Sequence, residues 1–331
     1  MNGRVAVLVV IAALLVVGVI EAAGRSPAEV LQGLIRGAFG SDRAWTATLR
    51  EMTPLLIGGL AVFIALKAGL FNIGVEGQLL TGALAGTVVA LAIGGPLGSL
   101  VAVLVGVLGG ALWAFPAAWI KAYRGGHEVI TTIMMNNIAL LLTTALIAGP
   151  LKAPDTMNNT TADIDASGMM GAAISVGGLS VSWALVLGLL ATFGAAWWLS
   201  RTVAGFELRL VGANPTAADP AGVERRRTVM GAMCVSGGVA GLAGSLQVLA
   251  FEGRFFEGMS PGYGFDSLGV ALLAGPSAAG LGPAAFVFGA LAKGTTSIQV
   301  LGVPKGIGTV ILGLLVVIVG VIRYRQEARH G

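Results

Sequence analysis

The chain has 331 residues, of which 56% are hydrophobic and 11% charged, with a formal net charge of +4 and a mean hydropathy of +0.88. A soluble domain carries about 25% charged residues, so this composition excludes an ordinary soluble fold and points to a polytopic helical membrane protein. The basic residues sit in loops and at the termini, the pattern that orients helices in a bilayer, so they argue for topology and against nucleic acid. One cysteine, Cys234, rules out an internal disulfide, and with two histidines it leaves little from which to build a metal site.

About 20 apolar residues are needed to cross the hydrocarbon core. The apolar runs predict ten spans in a single all-α domain covering 1–331: about 4–22, 52–67, 72–93, 97–120, 129–149, 180–200, 229–250, 265–279, 281–300 and 306–322. The first is read as an uncleaved helix, although Ala22-Ala23-Gly24 has the form of a signal cleavage site. The second and eighth are short and marked by glycine or proline, which leaves open whether either crosses fully or is broken or half-spanning. Ten spans place both termini on one side. With that side as the cytoplasm, twelve basic residues lie inside, among them Lys67, Lys121, Arg124, Arg201, Arg209, Arg225, Arg226 and Arg227, against seven outside, with Lys293 within a span. The loop 150–179 then lies outside and 201–228 inside. Gly82-x3-Gly86, Gly106-x3-Gly110 and Gly237-x3-Gly241 have the spacing that lets membrane helices pack closely.

In chain order, the first chemically informative stretch is Lys67 to Leu80. It sets Phe71, Asn72, Glu76 and Gln78 between two apolar runs, and polar groups so placed face a bundle interior or a water-filled path. Glu128 falls in the first turn of a predicted helix, where the helix dipole favours an acid. Asn136 and Asn137 follow, with hydrogen bonding between helices the favoured role and ligand contact the alternative. In the inner loop, Asn214-Pro215 is an N-cap and N1 pairing that starts a short helix through Ala217 and Ala218 to Gly222. With Ala217 and Ala218 exposed, such a helix suits docking into a groove of another protein; a lipid-surface loop is the alternative. Gly258-Met259-Ser260-Pro261-Gly262 matches G-x-S-x-G, but Pro261 lacks the N–H that an oxyanion hole takes from the residue after the serine, so this is a turn. No G-x4-G-K-[S/T] phosphate loop occurs, so ATP is not expected to bind here. No catalytic, cofactor or metal site is expected.

A faint internal repeat relates Gly69-Leu70-Phe71-Asn72 with Leu79-Leu80-Thr81-Gly82 to Gly264-Phe265-Asp266 with Leu272-Leu273-Ala274-Gly275. The halves are roughly 52–149 and 229–322, and by this topology they have opposite orientation, as in transporters whose path lies at the repeat interface. Chance similarity between glycine-rich apolar segments is the alternative. Glu76, Asp266 and Lys293 also leave open an ATP-independent secondary carrier with embedded coupling charges.

Five stretches in order carry a family resemblance. They are Gly69 to Gln78, Glu128 to Asn136, Gly212 to Ala218, Ser236 to Gly244 and Gly264 to Gly275. From about residue 50 to 320 the chain resembles the permeases of ATP-binding-cassette importers, in the branched-chain amino acid, ribose and nucleoside superfamily, and within it the nucleoside or simple-sugar uptake branch. The resemblance implies a type II importer-like fold in the bacterial inner membrane. It also implies a second, paralogous permease subunit, a separate cytoplasmic ATPase that holds ATP and Mg, and an extracytoplasmic substrate-binding protein. It assigns ATPase coupling to Gly212, Asn214, Pro215, Ala217, Ala218 and Gly222. Shaping or gating of the path falls to Phe71, Asn72, Glu76, Gln78, Asn136, Phe265 and Asp266. Asp219-Pro220 departs from the family pattern, which commonly has a tyrosine ahead of Ala221-Gly222, and this bears on where the docking helix ends. A nucleoside is the expected substrate, with a sugar or a branched-chain amino acid as the alternative.

Overall fold

The computed structural model describes residues 3–22, 24–154 and 156–300, with short stretches from 302 to 317. The span expected over 306–322 falls largely outside them, as do the chain ends. Twelve α-helices are described: α1 (Gly3–Ala22), α2 (Pro27–Phe39), α3 (Asp42–Lys67), α4 (Val75–Ile93), α5 (Gly95–Arg124), α6 (Glu128–Ala148), α7 (Trp183–Arg201), α8 (Val203–Ala213), α9 (Pro215–Ala218), α10 (Arg225–Gln247), α11 (Tyr263–Ala274) and α12 (Leu281–Gln299). A π-helical turn, Val248–Glu252, prolongs α10. Six described helices are long and apolar enough to cross a membrane: α3 to α7, and α10 with its prolongation.

The axis of the bundle is α3, in which every residue from Met52 to Ala65 is buried. It packs against α10, α11 and α12, while α4, α5 and α10 form a second, tighter group. The glycine spacings explain that group. A side chain at Gly82 would strike Gly241 and Gly106, and one at Gly110 would strike Gly237 and Gly241. The three motifs thus meet, and the helices approach through bare backbone. On α5 the buried stripe is Ala102, Gly106, Gly110 and Ala114, while the opposite face exposes Leu104, Leu108 and Leu112. A helix set in lipid shows this pattern: small residues inward and large apolar ones outward.

The structure resolves or adds to the sequence reading at three places. The second span is one continuous 26-residue helix, with Pro54 inside it. Residues 150–179 do not form a plain loop, nor is the chain wholly α. Two strands, β1 (Ala172–Val176) and β2 (Leu179–Ser182), pair as an antiparallel hairpin across Gly177-Gly178, and β2 takes the first residues of the span expected at 180. The hairpin is tied to the start of α3, where Ser180 N donates to Thr46 Oγ1 (2.8 Å) and Gly178 N to Asp42 Oδ2 (3.2 Å). Helix α2 was not expected at all, and it begins with a capping box between Ser26 and Glu29.

Candidate functional site

After Lys67 the chain turns back into the bundle before α4 begins. Asn72 lies level with Ala61 of α3, because Ser236 Oγ of α10 donates to the Ala61 carbonyl (2.7 Å) and accepts from Asn72 Nδ2 (2.8 Å). Six residues of helix separate Ala61 from Lys67, a depth of about 9 Å at 1.5 Å per residue. The Asn72 amide is fully used. Its Nδ2 also donates to Gln78 Oε1 (2.8 Å), and its Oδ1 accepts from Gly74 N (3.0 Å) and Gln78 Nε2 (3.1 Å). Asn136 of α6 closes the other side, accepting from Gly77 N and donating to the Ile73 carbonyl, both at 2.8 Å. The favoured role of Asn136, hydrogen bonding between elements, is the one seen. Asn137 is exposed and bonds back to Ile133 of its own helix.

The start of α11 meets the start of α4. Glu76 Oε2 accepts from Gly264 N at 2.6 Å. A side chain at Gly264 would collide with the Glu76 backbone, so only glycine permits the approach. Ser267, one turn on, packs against Gly58 of α3, and Tyr263 Oη donates to Glu51 Oε2 (2.9 Å). At the other end of α11, Lys67 Nζ donates to the Pro276 carbonyl (2.7 Å). The first turns of α4 and α11 therefore face each other in the interior, with the Glu76 carboxylate on the Gly264 N–H at the start of the second helix, where the helix dipole favours an anion. Ser260 Oγ accepts from the Gly262 and Tyr263 N–H groups, so the G-x-S-x-G match is a turn leading into α11.

These contacts divide the residues expected on the path. Asn72, Glu76, Gln78 and Asn136 are buried and bonded within the fold, whereas Phe71 and Phe265 are 42% and 52% exposed and Asp266 is half-buried. Reading from sequence alone missed Ser236 and Gly264 as partners of this cluster. Both lie in the motifs quoted above, but their contacts cross 164 and 188 residues of chain.

The stretch 212–222, where coupling residues are expected, takes in the end of α8 and the four-residue α9. Asn214 caps α9, its Oδ1 accepting from Thr216 N and Ala217 N, each at 3.1 Å. Residues Ala213 to Ala217 are exposed, but Ala218 is fully buried and turns inward, against the expectation of an exposed docking side chain. Gly222 adopts φ +75° as the segment ends. Gly212 is set against the turn after α3, where a Cβ would collide with the Lys67 carbonyl and with Gly69 N. The segment thus rests, backbone on backbone, on the root of the turn that carries Asn72 and Glu76.

At the other end of the bundle, residues 159–164 pair with 253–257: Thr161 N donates to the Phe255 carbonyl (2.9 Å) and Ile164 N to the Gly253 carbonyl (2.7 Å). They wall a cavity of about 530 Å3 lined by Asn158, Asn159, Thr160, Glu252, Arg254 and Phe256, among others. Glu252 is held by Arg50 (2.6 Å) and Gln247 (3.0 Å).

Six membrane-length helices, with the first turns of α4 and α11 meeting in the interior, describe a multi-pass membrane protein. The family of permease components of branched-chain amino acid transport systems matches residues 45–320, and the chain belongs to it. It is therefore a transport component and not an enzyme. The chain is 36% identical over 304 residues to the guanosine ABC transporter permease protein NupP of Bacillus subtilis, covering 89% of this chain and 86% of that one. It is 32% identical over 311 residues to the nucleoside ABC transporter permease protein NupB of Lactococcus lactis (90% and 85%). It is also 32% identical over 337 residues to the glucose ABC transporter permease protein TsgB13 of Haloferax volcanii (98% and 89%). No solved structure matches.

Proposed function

We propose that this chain forms one half of the translocation path of an ATP-binding-cassette importer for nucleosides. Two nucleoside permeases among its relatives, similar over most of both chains, support that substrate. The glucose permease TsgB13, similar over 98% of this chain, supports a sugar as the second reading. Both substrates present ring hydroxyls, which the amides, carboxylates and Phe256 of the outer cavity suit. The partners are a second permease subunit, most simply a paralogue, a cytoplasmic ATPase with its ATP and Mg, and an extracytoplasmic binding protein. The location is the inner membrane of a bacterium, with both termini and the 201–228 loop on the cytoplasmic side.

Within the single domain 1–331, the halves 52–149 and 229–322 are an inverted repeat, α4 and α11 being its two interior helix starts. The meeting of Glu76 with Gly264 supports this reading. The observation that carries the coupling is the backbone contact of Gly212 with Lys67 and Gly69. An ATPase gripping Ala213 to Ala217 displaces Gly212, which displaces the 68–74 turn. That turn carries the start of α4, and Glu76 passes the movement to α11. Phe71 and Phe265, the exposed members of the set, are the residues left to line or gate the path, with Asp266 next to Phe265 in the first turn of α11.

Uptake into proteoliposomes tests the proposal. With the permease pair, the ATPase and the binding protein reconstituted, labelled guanosine accumulates with ATP and not when the ATPase is disabled. Uptake by this chain alone, driven by a proton or sodium gradient, would sink it in favour of a secondary carrier. Competition by glucose but not by nucleosides would favour the second reading.

A further inference from the structure

Four side chains form a continuous stack where α5 ends beside the start of α10. The Arg124 guanidinium lies 5.5 Å from the centre of the Trp119 ring, the Trp119 and Tyr123 rings stack at 6.0 Å, and the Arg226 guanidinium lies 5.3 Å from the centre of Tyr123. Trp119 and Tyr123 are nonetheless about two-fifths exposed. Next to the stack is a cavity of about 180 Å3, bounded by Gly69, Gly212 and Pro215 and lined by three cations, Lys121, Arg225 and Arg226, with no carboxylate in its lining.

Nearby acids leave this charge largely unbalanced. Glu128 pairs with Lys121 (2.8 Å), and Glu224 pairs with Arg227 (2.9 Å), which is not among the lining residues. Arg225 and Arg226 also sit in the first turn of α10, where the helix dipole disfavours a cation. Consecutive arginines there, at the rim of a cationic cavity, call for an anion. A guanidinium placed over an aromatic ring still has N–H donors to offer, and their fork geometry matches phosphate oxygens.

One apolar stripe runs along α5 up to this point. Leu104, Leu108, Leu112, Phe115, Trp119 and Tyr123 recur at three- and four-residue spacing on one face, and each is at least 39% exposed. Acyl chains fit along such a face, with Trp and Tyr at headgroup level.

We propose that the Lys121–Arg225–Arg226 cavity and the Arg124–Trp119–Tyr123–Arg226 stack bind the phosphate of an anionic phospholipid, whose acyl chains lie along the exposed face of α5. Because Gly212 and Pro215 bound the same cavity, the headgroup braces the coupling segment against the bundle. The site is independent of the transported substrate.

Native mass spectrometry of the purified full-length chain, given equal amounts of phosphatidylglycerol and phosphatidylcholine, tests this. The wild type retains phosphatidylglycerol selectively, and each arginine removed at 225 or 226 lowers that selectivity about fivefold. Tyr123→Ala and Arg226→Lys, which remove the stacked guanidinium geometry in milder ways, lower it as well, so the test survives if Arg225→Gln/Arg226→Gln does not fold. Arg201→Gln, at the end of α7, leaves selectivity unchanged. Selectivity that persists in Arg226→Lys and Tyr123→Ala overturns the site. Displacement of the lipid by millimolar glycerol 3-phosphate overturns the lipid in favour of a free phosphate ester.

Discussion

The Phe71–Gln78 turn and the Ala213–Gly222 segment are both interruptions in an apolar chain, yet the fold treats them oppositely. In the first, all but Phe71 and the half-buried Ile73 are buried, and both amide atoms of Asn72 and of Asn136 meet partners inside the protein. In the second, Ala213 to Ala217 are exposed, Ala218 is buried, and the Gly212 backbone just ahead of it rests on the turn after α3. A polar residue in a membrane bundle is therefore not a ligand contact by virtue of its polarity. Where the fold already satisfies its atoms it is scaffold, and the surface proposed to meet the ATPase is carried by small residues of little chemical character.

Substitutions sharpen that contrast, and the largest effects belong to the buried turn. Asn136→Leu leaves the Gly77 N–H and the Ile73 carbonyl without partners. Each buried orphan costs about 1–3 kcal/mol, so the variant melts at a clearly lower temperature in detergent. Gly264→Ala drives a methyl into the Glu76 backbone, an overpacking worth about 1–3 kcal/mol that should show as a lower melting temperature and reduced uptake. Glu76→Gln is milder, since a side-chain carbonyl still accepts from Gly264; Glu76→Ala removes the acceptor and should lose more stability by the same measurement. In the coupling segment, Asn214→Ala loses the cap of α9, about 1 kcal/mol of local helix stability, and weakens ATPase pull-down. Ala217→Glu is the smallest in folding terms, within about 0.5 kcal/mol for an exposed site, yet abolishes ATPase pull-down. Equal losses of stability in Asn136→Leu and Ala217→Glu would erase the distinction between the two regions.

What could be read from the sequence followed how local each signal is. The G-x3-G spacings and the Asn214-Pro215 cap are patterns within one turn of helix, and both appear in the fold as read. The capping box at Ser26 and the Gly177-Gly178 turn between alternating residues are equally local. The first opens a 13-residue helix carrying Glu29 and Arg36 and the second joins an 11-residue hairpin, both shorter than the apolar length of about 20 residues that marks a span. The inward turn of Ala218 depends on the tertiary seat of α9, to which the spacing of small residues gives no clue. The Glu76–Gly264 bond joins residues 188 apart, and only the three-dimensional packing of α4 on α11 brings them together.

The central claim is that the Gly212 contact carries motion from the coupling segment to the interior helix starts. It is tested most directly by comparing ATP hydrolysis with guanosine uptake in proteoliposomes holding the complete Gly212→Ala complex. A methyl there meets the Lys67 carbonyl while leaving the exposed Ala213 to Ala217 surface intact. The account predicts that the ATPase still binds and hydrolyses ATP while uptake falls by about tenfold or more, as expected when a packed contact is displaced by a misplacement of about 1 Å. Uptake at the wild-type rate per ATP hydrolysed would contradict it.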